Sequence, residues 1–135
     1  TDYLQTYPSL RKYENATWSN HANQQMWELY FKGNAPNPID YASPLHARSL
    51  SNLPPAYIEP QEIDTLCDEG IAFANRLQKE NGSVILNVIK GSYHAFEKEF
   101  KTEFVQSILN HRVNVLKDFF QSFPESKSKS LSHID

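Results

Sequence analysis

The sequence predicts an α/β fold, a parallel β-α-β unit with flanking helices. Three observations carry that prediction. Val84-Ile85-Leu86-Asn87-Val88-Ile89 is β-branched and nearly all apolar, the composition of a strand covered on both faces. Ala56-Tyr57-Ile58 is a second extended run, delivered by Pro54-Pro55 and ended at Pro60. Between them lies a helical pattern. Thr65-Leu66-Cys67-Asp68 has the form of a capping box, Leu66, Gly70, Phe73, Ala74 and Leu77 line one side, and Asn81-Gly82 terminates it. A strand–helix–strand connection of this kind is almost always a right-handed crossover with its strands parallel.

The remaining elements flank this unit. Seven of the eight prolines lie at or before Pro60, so residues 1–50 read as a helical and loop segment. Ser9 is placed to cap a short turn over Leu10 to Tyr13. Ser19 is placed to cap a longer helix through Phe31, with Met26, Trp27, Tyr30 and Phe31 as its apolar face and Gly33 as its stop. Residues 33–43, with Pro36 and Pro38, read as loop. Residues 51–123 hold the β-α-β unit and a last helix starting at Thr102. The stripe of that helix is Val105, Ile108, Leu109, Arg112, Leu116, Phe119, Phe120 and Phe123. Gly91 is expected to break the second strand. Residues 124–135, rich in Ser and Lys, read as a frayed tail.

Bulk properties exclude several functions. The 135 residues carry a net charge of −3 with scattered basic residues, which gives no electrostatic reason to propose nucleic acid or an anionic membrane as partner. No apolar run approaches a membrane span, and no signal peptide is expected. The single cysteine, Cys67, excludes an internal disulfide and fits a reducing, cytoplasmic setting. The sequons Asn15-Ala16-Thr17 and Asn81-Gly82-Ser83 carry little weight beside it.

Asp64 and His94 are the candidate site residues. In an open parallel sheet, catalytic groups gather beyond the carboxyl ends of the strands. Asp64 comes five residues after Glu59, and His94 five after Ile89. Neighbouring strands run about 5 Å apart, so a carboxylate and an imidazole on these two loops can meet. Such a pair usually serves a nucleophile on a sharp strand-to-helix turn, G-x-S-x-G. The four glycines Gly33, Gly70, Gly82 and Gly91 never bracket a serine at that spacing, so no such nucleophile occurs here. A purely structural Asp–His hydrogen bond is the plain alternative. Cys67, in the first turn of a helix where the dipole lowers a thiol pKa, is an alternative nucleophile, although it lacks the exposing elbow. Asp68 and Glu69 read as first-turn acids favoured by the helix dipole, and Glu62 as a loop hydrogen-bonding residue. His21, His46, His111 and His133 have no partner at metal-ligand spacing.

The ordered set Ser43-Pro44-Leu45, Leu53-Pro54-Pro55-Ala56, Glu62-Ile63-Asp64-Thr65-Leu66, Asp68-Glu69-Gly70 and Gly91-Ser92-Tyr93-His94-Ala95-Phe96 resembles the C-terminal portion of an α/β-hydrolase. The likeness is to the hormone-sensitive-lipase-like carboxylesterases, and Tyr7-Pro8-Ser9 and the helix ending at Tyr30 extend it. It covers about Thr1 to Phe123. It implies the C-terminal part of a doubly covered sheet, with Asp64 as triad acid and His94 as general base. It also implies a small-molecule carboxylic ester as substrate of the complete enzyme, and neither metal nor organic cofactor. The family's serine, in G-D-S-A-G, and its oxyanion loop, H-G-G-G, do not occur in this chain. Thr65 stands where the family usually has proline, and Ala95 where glycine is common.

Two functions follow as expectations. The first is the acid–histidine portion of a serine carboxylesterase, inactive as an isolated chain. The second is a non-catalytic remnant or assembly module that keeps the fold without the chemistry. An apolar two-stranded unit also leaves open backbone edges, so the chain is expected to form a homo-oligomer, most simply a two-fold dimer.

Overall fold

The computed structural model describes Asp2, Leu4 and residues 6–122. Phe123, Pro124, His133 and the expected tail at 124–135 lie outside the described residues. The chain divides into two compact units, Thr1–Phe100 and Lys101–Asp135.

Within the first unit the β-α-β reading holds and gains detail. The first extended run is two pieces, β1 (Ala56–Ile58) and β2 (Gln61–Ile63), and the second is β3 (Val84–Leu86) and β4 (Ile89–Tyr93). β1 pairs with β3 and β2 with β4, both in parallel. Pro60, with no N–H to give the ladder, separates the first two. The chains stay bonded across the gap, because Asn87 N–H donates to Ile58 O and Ile89 N–H to Pro60 O, each at 2.9 Å.

The expected stop at Gly91 is corrected. Gly91 lies inside β4 at φ +68°. The register runs Gln61 to Ile89 but Ile63 to Tyr93, so β4 carries extra residues at this point. One type of bulge places a residue in the left-handed region, and glycine occupies it without a Cβ penalty. Glu62 takes the orphaned Gly91 N–H on Oε2 at 2.9 Å and the Lys90 ammonium on Oε1 at 3.0 Å. These donors hold the Glu62 carboxyl below its ordinary range. The expected two-sided burial of the second strand is also corrected. Ile85 is 42% exposed, because two strands alone leave one face of the ladder short of cover.

The connecting helix is α3 (Cys67–Lys79). Ala74 and Leu77 are buried as the stripe predicted. A Cβ on Gly70 would stand 3.2 Å from Pro60 Cγ, so this glycine lets α3 lie close against the strand kink. The end at Asn81-Gly82 is a Schellman turn. Asn81 sits at φ 65°, Gly82 N–H donates to Leu77 O at 2.8 Å and Asn81 N–H to Gln78 O at 3.0 Å.

The helix start departs from the predicted capping box. Leu66 is the N-cap and makes no side-chain cap bond. Ser9, from the short helix α1 (Pro8–Lys12), supplies the cap instead. Its hydroxyl accepts from Asp68 N–H at 3.3 Å while Asp68 Oδ2 accepts from Ser9 N–H at 2.8 Å. The reciprocal pattern of a capping box thus joins two helices rather than closing one. Ser9 accordingly lies inside α1, whose N-cap is Tyr7.

α2 (Asn20–Phe31) begins as expected, with Ser19 Oγ accepting from Ala22 N–H at 3.0 Å. Its predicted apolar face is not a buried one. Asn23 is its buried residue, Tyr30 is exposed, and Trp27 and Phe31 stack on each other at 5.3 Å.

In the second unit, α4 (Glu103–Ser122) starts after Thr102, whose hydroxyl accepts from Val105 N–H at 3.3 Å. Val105, Ile108 and Val115 are its buried positions, while Leu116 and Phe120 from the predicted stripe are exposed.

Candidate active site

Asp64 follows β2 and His94 follows β4, at the carboxyl ends of two neighbouring parallel strands. The two expected site residues meet there. His94 Nδ1 lies 2.9 Å from Asp64 Oδ2. Asp64 is 2% exposed and would be unstable as a charge without partners. It has them. Oδ1 accepts from Leu66 N–H at 3.0 Å and has the Thr65 hydroxyl 3.4 Å away, leaving Oδ2 for the imidazole. The Leu66 bond closes a local turn that holds the carboxylate within reach of His94. An ionised carboxylate only accepts, so this geometry selects the His94 tautomer with its proton on Nδ1.

His94 is held from several sides. The bulge at Gly91 sets the exit of β4, and the Ser92 hydroxyl donates to Ile89 O at 2.7 Å. Phe96, 2% exposed, anchors the chain just beyond. Ala95 between them sits at φ 61°, in the left-handed region where the family's glycine would carry no strain. The Trp18 ring stacks on the imidazole, with centroids 5.5 Å apart and planes 22° from parallel. About a third of the imidazole side chain remains exposed. A cavity of about 220 Å³ adjoins the pair, lined by Pro60, Gln61, Leu66 and Glu69 together with Asp64 and His94.

Cys67 does not fit a nucleophile. It is buried, and burial together with the Asp68, Asp64 and Glu62 carboxylates pushes its thiol up rather than down. The helix-dipole expectation loses to desolvation and to three nearby negative charges.

His46, read from the sequence as having no partner at metal-ligand spacing, belongs to a second pair. Its Nε2 lies 2.6 Å from Asp2 Oδ1, and the Tyr7 hydroxyl donates to Asp2 Oδ2 at 2.6 Å. Burial works to raise the Asp2 carboxyl, but the bonds from Tyr7, His46 and Leu4 N–H outweigh it and hold it below its ordinary value. Among the described residues no group of His, Cys, Asp and Glu is arranged to hold a metal ion, and no helix is long and apolar enough to cross a membrane.

Sequence reasoning missed Trp18. The signal was present: Trp18 directly precedes the Ser19 cap, the position that packs against the fourth residue of a helix. That residue is Asn23, and the Trp18 indole N–H donates to its Oδ1 at 3.4 Å.

The comparisons with known proteins agree with this layout. A family model described as alpha/beta hydrolase fold matches residues 2–98. The lipase 2 of Moraxella sp. (strain TA144) is 32% identical over 98 residues, covering 71% of this chain. Among solved structures, the esterase LipW of Mycobacterium marinum superposes with a TM-score of 0.79 over 89% of this chain at 24% identity, a likeness of fold. A bacterial heroin esterase superposes with a TM-score of 0.75 over 84% at 25% identity. The chain spans 22% of the length of the Moraxella lipase and 38% of each of these two esterases. With a match over most of its length and strands, helix and loops in the same arrangement, the chain belongs to the α/β-hydrolase fold family, alongside carboxylesterases.

Proposed function

We propose that residues 1–123 supply the acid–histidine portion of a serine carboxylesterase, with Asp64 as the triad acid and His94 as the general base. The observation that carries this reading is the 2.9 Å approach of His94 Nδ1 to Asp64 Oδ2 beyond the ends of two parallel strands. In the complete enzyme, His94 Nε2 takes the serine proton as the hydroxyl attacks the ester carbonyl, then returns it to the leaving alcohol. Asp64 fixes the tautomer and stabilises the imidazolium that forms between those steps. The substrate is a small-molecule carboxylic ester. The 135 residues hold no G-x-S-x-G, so the nucleophile must come from outside them.

The test is a graft. Residues 2–98 replace the matching segment of a relative that carries its own G-x-S-x-G, and turnover of a chromogenic short-chain ester is measured. The chain alone should show no turnover, and the graft should show turnover that His94→Ala removes. A folded graft whose turnover is indifferent to His94→Ala would end this reading. Turnover lost in both His94→Ala and Cys67→Ala would move the role to the cysteine.

A second reading, a non-catalytic assembly module, draws on the exposure of Ile63 at 39% and Ile85 at 42% on strands with open edges. A homodimer that covers them is its expected form, and light scattering on the 135-residue chain decides: a well-folded monomer at micromolar concentration would refute it.

A further inference from the structure

We propose that Trp18 is a positioning residue for His94, held in place by the Thr65 hydroxyl, and that together they keep the imidazole Nδ1 turned to Asp64. The inference rests on the reading of His94 as general base. Trp18 lies between α1 and α2, far in sequence from either loop of the pair, yet two contacts tie it to them and a third ties it to α2. Its ring stacks on the His94 imidazole at 5.5 Å and 22°. Its backbone carbonyl accepts from the Thr65 hydroxyl at 2.8 Å. Its indole N–H donates to Asn23 Oδ1 at 3.4 Å, which ties the ring to the first turns of α2.

The consequence is mechanical. An imidazole hydrogen-bonded through Nδ1 alone can still rotate about its χ2, which turns Nδ1 away from the carboxylate and puts a carbon in its place. A flat aromatic surface parallel to the ring opposes that rotation, because turning the imidazole out of plane loses the stacked contact. The same surface favours the imidazolium that forms in the proposed reaction, since an aromatic face attracts a cation.

Thr65 adds a further tie. It is fully buried and immediately follows the acid. Its hydroxyl spans from Asp64, at 3.4 Å, to the Trp18 carbonyl. Its own carbonyl accepts from the Ser9 hydroxyl at 2.8 Å. A proline here, as the family resemblance would have it, has no hydroxyl and could not make the bond to Trp18. The acid's loop, the ring platform and the histidine therefore form one connected unit.

The experiment uses the 135-residue chain with ¹⁵N-labelled histidine. The His94 ring shifts, followed upward in pH until they stop moving, report the share of neutral imidazole protonated on Nδ1. Trp18→Ala should lower the ratio of Nδ1–H to Nε2–H roughly threefold or more. Trp18→Phe, which keeps a ring, should restore most of it. Thr65→Val, which keeps the shape and removes the hydroxyl, should lower it by a smaller factor. A ratio unchanged in Trp18→Ala, or lowered equally by Trp18→Phe in folded protein, would overturn the proposal. If Trp18→Ala does not fold, Thr65→Val and Trp18→Phe decide: an unchanged ratio in the first overturns the strap, a changed one sustains it. The function reading fails or survives separately, in the His94→Ala graft, so an inert graft with a Trp18-dependent tautomer would retain the positioning and end only the esterase role.

Discussion

Asp64–His94 and Asp2–His46 are the same two side chains at similar separations, 2.9 Å and 2.6 Å, with both carboxylates buried. Their settings differ in three ways. His94 binds its acid through Nδ1 and keeps Nε2, the nitrogen farther from the backbone, for other work. His46 spends Nε2 on Asp2 and is left with Nδ1 beside its own main chain. Asp64 and His94 lie beyond the ends of paired parallel strands, whereas His46 ends a short turn, Pro44–His46. Asp2 is closed off by the Tyr7 hydroxyl on Oδ2 and by Leu4 N–H on Oδ1, so its network ties chain segments together. An aspartate–histidine hydrogen bond is therefore not by itself a sign of catalysis. On the proposed reading, the choice of nitrogen and the position in the fold separate a reactive pair from a fastening.

The sharpest way to break this comparison is to exchange the consequences of mutating each pair. In the graft, Asp64→Asn should lower kcat by about 10⁴-fold, because it permits the wrong tautomer. His46→Ala should leave kcat within about threefold if the protein stays folded. Equal losses would erase the distinction.

Stability should not separate the two pairs. His46→Ala and His94→Ala each take one partner from a buried carboxylate, and each should cost about 1.5–3 kcal/mol in urea unfolding. The acid limb sharpens this further. The folded Asp2 carboxyl lies below its ordinary value of 3.8, so its stabilisation is complete above that value and is lost as pH falls through the lower, folded one. The stability gap between wild type and Asp2→Asn should thus be present at neutral pH and shrink progressively as pH falls below 3.8. A gap unchanged by acid would mean that the Asp2 charge contributes nothing.

The smallest effect concerns the backbone beside His94. Ala95→Gly relieves a left-handed alanine and should raise stability by about 0.5–1 kcal/mol, after allowing for the freedom glycine adds to the unfolded chain. A loss in thermal unfolding would show that the alanine methyl makes a contact worth more than the strain.

Much of this site could be read from the residues. The apolar run at 84–89 and the proline-bounded run at 56–58 gave the strands. Their spacing to Asp64 and His94 gave the meeting of the pair. What could not be read was settled through space. Gly91 as a strand breaker and Gly91 as a bulge have the same local sequence, and the Glu62 carboxylate, 29 positions away, decides between them. The Thr65-to-Asp68 box has the right letters, yet Ser9 takes the Asp68 N–H from another helix. The stripe on α2 has helical period, but periodicity does not say whether a face is covered. His46 carried no local signal, because its partner lies 44 residues away near the start of the chain.

The most direct test of the central claim is the tautomer of both histidines in one ¹⁵N spectrum of the 135-residue chain, taken where neither ring shift changes further with rising pH. The structure predicts opposite answers: His94 protonated on Nδ1 toward Asp64, His46 protonated on Nε2 toward Asp2. The same tautomer at both positions, or a His94 ring protonated mainly on Nε2, would contradict it.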